Sequence, residues 1–508
     1  MSANQQDYHN FELPYQNYGL DAELDHTRKS RRGGRCCFCG CCLGCLGFLL
    51  LIVLIIFGFW YCFLTGGVPL EVSPETTIIT KPLKSDGKTV DFFQAIQKML
   101  VPENIPANEN GFRDMVLAFG QPMIEYGDAG KYGEWCYIYM CEQLGIDPQI
   151  PPQFPLENQF PGDVFNSQEG LDAVRAAVAK PHYAIPLVRS HENDLVLMSQ
   201  PASVYAFHET LTSVIQQRGL SQIEREGKTD EGWQDILTSL RLYRFVTVNA
   251  VWMSALRGQD DEVLAAPVDE VAAALPKWSP ELLEQAIKDL ESLPNWQDRQ
   301  TTLTIIQYGL LDLISATNDL DSLDSRLSFE ERQAAKVLRG ITFDWNLVAK
   351  ELNREIKAYG ELLEQVENMR LDEQFERLHL RGLDAERHEF PLGKERGEKF
   401  FLNHFEAEGA VGFLFTPGRS KLTGAFVGEL LVPWTAGELY RLQIMEESRC
   451  QALRLVLALE LYHRNNQQYP DSLNELRLKE MPMNVHLEYE KQGEGYRIRN
   501  KVFMVEKP

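Results

Sequence analysis

Between Leu43 and Leu64 the chain reads LGCLGFLLLIVLIIFGFWYCFL, a run without a charged side chain. As a helix rising ~1.5 Å per residue it would be about 33 Å long, enough to cross the hydrocarbon core of a bilayer. A single apolar segment satisfies its backbone in lipid only as a helix, so this run sets the topology of everything around it. It is longer than the apolar region of a cleaved signal and closes on the aromatic residues Trp60, Tyr61 and Phe63, which predicts an uncleaved anchor. Arg28, Lys29, Arg31, Arg32 and Arg35 precede it, whereas Glu71 and Glu75 are the first charges after it and no base comes before Lys81. Positive flanks stay in the cytoplasm, so the N-terminus is expected inside and the bulk of the chain exported across a cell membrane to a periplasm-like compartment.

Cys36, Cys37, Cys39, Cys41, Cys42 and Cys45 crowd the cytoplasmic mouth of this run as CCFCGCCLGC. One reading is a thiolate cluster for zinc or an iron–sulfur centre, although contiguous spacing lacks the CxxC halves of such sites. Lipidation of juxtamembrane cysteines is a second. A small-residue face ranks first: Gly40, Gly44 and Gly47 would let two copies of the helix approach closely in a homodimer. Cys136 and Cys141 would lie about 8–9 Å apart on one helix, beyond disulfide reach, and with Cys450 are expected as buried thiols.

A chain of 508 residues is expected to hold at least two packed units beyond the anchor. Residues 1–35 balance five acids against five bases, so the net charge of −23 falls on the remainder. So acidic a surface repels nucleic acid and anionic headgroups, which argues against a nucleic-acid partner and against bilayer docking by the exported part. The chain divides into a cytoplasmic tail (1–35), the cysteine-rich segment and transmembrane helix (36–65), a Pro- and Thr-containing stalk (66–86), an N-terminal helical region (87–165), a helical body (166–376), a mixed connecting region (377–434) and a C-terminal long helix plus hairpin (435–508). The fold class is mainly α, a helical bundle or array with a small C-terminal α+β unit.

Apolar residues at three- and four-residue spacing predict helices over DFFQAIQKML (91–100), NGFRDMVLAF (110–119) and residues 130–145. Trp233, Ile236, Leu237, Leu240, Phe245, Val248, Trp252 and Leu256 read as one stripe of a core helix stopped by Gly258. Ser279-Pro280-Glu281 and the capping box at Ser328 open two more helices. A long helix is expected over about 436–465, then a hairpin whose strands, 485–490 and 496–505, flank KQGEG. No fixed repeat period appears.

No glycine-rich phosphate loop, nucleophile elbow, HExxH or CxxC pair is present, so no catalytic or cofactor-binding residue is assigned. His182, His191, Glu192, Asp194, His208 and Glu209 have the side-chain types of a metal site, but their spacing does not place them on one helical face. Trp252, Trp278 and Trp296 offer stacking surfaces for a sugar and are expected in the core instead.

KPHYAIPLVR (180–189), EGWQDILTSLRLYRFV (231–246), WSPELLEQAIKDLESLP (278–294), ITFDWNLVAKELNREIKAY (341–359) and ALRLVLALELYHRNNQQYPDSLNEL (452–476) resemble a group of uncharacterised single-pass membrane-anchored proteins of planctomycete bacteria. That resemblance implies an N-terminal anchor, a helical body and an envelope location, with no catalytic residues to carry over. LALELYHRNNQQYPDSLNEL also resembles the helix-to-turn-to-sheet passage of major pseudopilins. The pseudopilin cleavage glycine and helix glutamate do not adjoin Leu43, so Tyr469 and Pro470 are assigned to packing and turn geometry. The function expected is binding or architecture in a bacterial envelope, with an unidentified envelope protein as partner and no cofactor. The alternatives are a metal-dependent envelope hydrolase using the region from His182 to Glu209 and a helical peptide-binding adaptor.

Overall fold

Local capping and helical periodicity place most of the elements. In a computed structural model, residues 68, 70–102, 105–125, 131–156, 168–189, 202–249, 266–296, 298–318, 344–366, 369, 419–476, 487–499 and 504–507 are described, all within the unit Cys62–Pro508. Leu43 to Leu64, the juxtamembrane cysteines, Gly40, Gly44, Gly47, Trp252, Gly258 and Ser328 lie outside the described residues. Among the described residues no helix is long and apolar enough to cross a membrane.

The chain is mainly helical. In order come α1 (Phe92–Leu100), α2 (Gly111–Phe119), α3 (Gln121–Ile124), α4 (Lys131–Leu144), α5 (Gln168–Val178), α6 (Ala202–Ser221), α7 (Thr229–Asn249), α8 (Val268–Ala274), α9 (Pro280–Glu291), α10 (Arg299–Asn318), α11 (Trp345–Val366) and α12 (Arg419–Asn466). Asp91 caps α1 by accepting the Gln94 N–H at 3.1 Å, Asn110 caps α2 through the Phe112 N–H at 3.1 Å, and Ser279 caps α9 through the Leu282 N–H at 3.1 Å, with Pro280 in the first turn. Strands β1 (Glu488–Gln492), β2 (Gly495–Arg499) and β3 (Met504–Lys507) form an antiparallel sheet in that order.

Three apolar cores organise these elements. The first joins α1, α10, α11 and the start of α12 through residues such as Phe92, Ile306, Leu352 and Tyr440. The second joins α2 to α6 and the end of α7 around Phe112, Phe119, Met140 and Phe207. The third packs the start of α7 and α9 against the later part of α12 and the sheet, around Trp233, Trp278, Leu283, Val456 and Tyr496.

The structure departs from the expected stripe on α7. Trp233, Ile236, Leu237 and Leu240 enter the third core while Leu242 and Val246 enter the second, because a helix buried on several sides presents different faces to different partners. The long helix α12 begins at Arg419, some turns before position 436, and continues through Pro433. Its seam with α11 needs glycine: a Cβ on Gly424 would lie 2.3 Å from the Val348 carbonyl oxygen, and one on Gly428 2.5 Å from Glu355 Cβ. The expected single strand 496–505 is two strands, β2 and β3; Tyr496, Ile498 and Val505 are all buried, and the antiparallel register sets Ile498 opposite Val505, so an even and an odd position share one face. The passage after α12 serves packing as expected, with Tyr469 buried edge-on against Tyr496 at 5.0 Å and the Tyr489 hydroxyl donating to the Pro470 carbonyl at 2.7 Å.

The segment whose composition reads as a stalk lies against the helical body. Val68 is bridged to Asp344, the Glu71 N–H donates to Asn346 Oδ1 at 2.8 Å, Leu70, Val72 and Ile79 pack on the first core, and Thr76 and Thr77 are buried.

Candidate functional site

KPHYAIPLVR forms neither helix nor sheet. From Tyr183 to Val188 it runs as a buried extended strap, with Tyr183, Ile185 and Val188 in the second core and Leu187 in the first. A buried segment outside a sheet must find other partners for its backbone, and here side chains supply them. Asn110 accepts the Ala184 N–H at 3.0 Å and donates to the Ala184 carbonyl at 3.2 Å. Asn249 donates to the Tyr183 carbonyl at 2.9 Å and accepts the Ile185 N–H at 3.3 Å, while Gln97 Oε1 accepts the Leu187 N–H at 2.8 Å. Asn110 and Asn249 each meet one backbone donor and one backbone acceptor of the strap, as a neighbouring strand would. Arg189 closes the strap with two hydrogen bonds of 2.8 Å to the Asp91 carboxylate and lies 4.2 Å over the Phe93 ring.

Of the candidate metal ligands, His182, His208 and Glu209 are among the described residues, and the strap parts His182 from His208. Alternation along an extended chain turns His182 outward, where its Nε2 is 4.0 Å from a Glu109 carboxylate oxygen, and turns Tyr183 inward onto His208. His208 is fully buried, with Nε2 2.6 Å from the Tyr183 hydroxyl and Nδ1 2.6 Å from the Val204 carbonyl. Burial drives its pKa down to about 4, so near neutrality the imidazole is uncharged: Nδ1–H donates to Val204, and Nε2 accepts from Tyr183. Phe112, Phe207 and Tyr183 surround the ring with centroids 5.8–6.0 Å away. A phenol and an imidazole at this distance are chemically able to exchange a proton, but both are sealed inside the second core. Their geometry is that of a polar clamp between the strap and α6. Glu209 is half-buried beside His208, and His191, Glu192 and Asp194 lie outside the described residues. Among the described residues no group of three His, Cys, Asp or Glu side chains is placed to hold a metal ion.

Among the described residues, further charged clusters inside the body include those of Arg244 and Asp235. Arg244 on α7 reaches α12, giving Nε and one Nη to the two oxygens of Glu446 at 3.1 Å each, and the same Nη to Glu447 at 2.8 Å. Its other Nη donates to the Pro294 carbonyl at 3.0 Å, and Trp296 lies 5.5 Å under the guanidinium. Cys450, one turn on, donates its thiol to Glu446 at 3.0 Å. Burial raises the Glu446 pKa, opposed by Arg244, and raises the Cys450 thiol further, so this cysteine is an inert packing group. In the other cluster Asp235, wholly buried on α7, receives Arg175 from α5 at 2.5 Å and Arg218 from α6. Cys136 and Cys141 are buried thiols, as their spacing leads one to expect. Trp278 is a core residue edge-on to Trp233 at 5.6 Å.

Sequence reasoning missed Asn110, Asn249, Arg244 and Asp235 as key positions. The available signal was polar side chains at positions where the helical period calls for apolar ones, as in RLYRFVTVN and IMEESRC. No protein family, curated protein or solved structure matches this chain.

Proposed function

We propose that the chain is a single-pass membrane protein of a bacterial envelope, its N-terminus in the cytoplasm, whose exported helical body acts by binding or as architecture. The observation that carries this reading is the uncharged run from Leu43 to Leu64 with five bases on one flank and only acids on the other until Lys81. The residues after it support the reading, because the chain enters the folded body only four positions beyond Leu64, at the Val68–Asp344 bridge. The likeness to planctomycete membrane-anchored proteins belongs to this same proposal, as does an envelope protein partner. The buried clusters support an architectural role: Arg244, Asp235 and Arg189 each tie helices or the strap of different cores together, placing the strongest polar groups where they hold shape.

The test is alkaline carbonate extraction of membranes together with protease digestion from the exported side, using a chain tagged at its N-terminus. Retention in the membrane pellet, digestion of the body and protection of the tag are expected. Release by carbonate, or digestion of the tag with the body protected, would overturn the reading.

A further inference from the structure

Residues 78–88, IITKPLKSDGKT without its final threonine, depart in charge from the strongly acidic exported chain: Lys81, Lys84 and Lys88 stand against the single acid Asp86. Two large apolar side chains in the same segment, Ile78 and Leu83, are 40% and 38% exposed. The segment is held in shape. Leu83 pairs with Val90, the Lys84 N–H donates to the Thr89 carbonyl at 2.8 Å, and Gly87 turns the chain at φ 64°. The Asp86 carboxylate is taken up by the turn, accepting the Lys88 and Thr89 N–H groups at 2.7 and 2.8 Å and the Thr89 hydroxyl at 2.5 Å. Ile78 sits at φ 65°, where a β-branched residue is strained, in a tight turn closed by the Ile79 N–H on the Thr77 carbonyl at 2.7 Å. The backbone thus carries strain at an exposed apolar side chain, in a segment that also holds three lysines. Exposed apolar side chains among lysines are the pattern that lies at the headgroup level of a bilayer, the apolar groups entering the interface and the ammonium groups meeting lipid phosphates.

We propose that this loop docks on anionic lipid headgroups of the membrane in which the chain is anchored. The proposal rests on the anchor reading above, which also supplies the occupant: only fourteen positions separate Leu64 from Ile78, and the chain is tied down at Val68 within that span. It narrows the expectation from net charge, since a surface that repels anionic lipid as a whole touches it through a local segment that is basic and apolar.

The full-length protein is reconstituted in vesicles of phosphatidylcholine alone and of phosphatidylcholine with phosphatidylglycerol, and lysine acylation is read by mass spectrometry. With the anionic lipid, Lys81, Lys84 and Lys88 should react about fivefold or more slowly, and recover in about 1 M salt, where screening is complete within a few ångströms. Lys357, exposed on α11, should react equally in both vesicles. A K81E/K84E/K88E chain should show no lipid-dependent protection of the amide hydrogens of residues 78–89 against exchange, where the native chain does. Retention through carbonate washing with equal lysine reactivity in both vesicles would overturn the docking alone. Release by carbonate would overturn the anchor and the docking with it.

Discussion

Replacing His208 with glutamine tests whether the Tyr183–His208 clamp is a sealed neutral pair. The folded protein holds this imidazole uncharged down to about pH 4, whereas in the unfolded chain it takes a proton near its ordinary value of 6.5. Between those values the unfolded state binds a proton that the folded state does not, so stability is lost as pH falls from about 6.5 toward 4. The interval of roughly 2.5 pH units, at 1.36 kcal/mol each, makes that loss about 3 kcal/mol from one fully buried group. Glutamine does not titrate, and its carbonyl retains an acceptor for the Tyr183 hydroxyl. The variant should be less stable near pH 7.5, by about 1–3 kcal/mol for the altered hydrogen bonds, yet lose less on acidification than the native chain. Urea unfolding of both full-length proteins in mild detergent at pH 7.5, 6 and 4.5, followed by tryptophan fluorescence, measures this. Carboxylates titrate in both chains and drop out of the difference. Parallel pH profiles would refute the reasoning, because they would mean that His208 reaches water and is protonated in the folded state.

Arg244→Leu should cost about 3–5 kcal/mol in the same unfolding assay by leaving the buried Glu446 and Glu447 without their cation, and R244L/E446L/E447L should recover most of that loss. Burial raises the Glu446 pKa, so its stability contribution is present below about 4.5 and lost as pH rises; E446Q should therefore show a flatter profile from pH 5 to 8 than the native chain. Gly424→Ala should destabilise by about 1–3 kcal/mol, since the new methyl meets the Val348 carbonyl, whereas Gly360→Ala, whose Cβ has one neighbour, Leu303 Cδ1 at 3.3 Å, a side-chain end that need give only a few tenths of an ångström, should be stabilising by up to about 1 kcal/mol through helix propensity. Thermal shifts of opposite sign for the two alanine variants would check this contrast.

The helices could be read from the chain wherever one face met one core. Asp91, Asn110 and Ser279 cap α1, α2 and α9 where their sequence positions place them, and Phe92, Phe93, Ile96 and Leu100 repeat at helical spacing because α1 buries a single side. Legibility failed where one element served two cores. On α7 the apolar positions belong to two directions at once, and α12 pairs with α11 at one end and α9 at the other, so neither shows a single stripe. Residues before 436 read as part of a mixed region, yet the close α11 contact at Gly424 and Gly428 is available only because the helix already exists there and continues through Pro433. The strap was the least legible part of the candidate site. KPHYAIPLVR has two prolines and no period, and its partners Gln97, Asn110 and Asn249 lie between 64 and 90 positions away along the chain. For the same reason the histidines that composition groups together part company: His182 and His208 are neighbours in type, but the strap's alternation sends Tyr183, and not His182, to the buried imidazole. Residue type proposes a ligand set, and backbone direction decides which of its members meet.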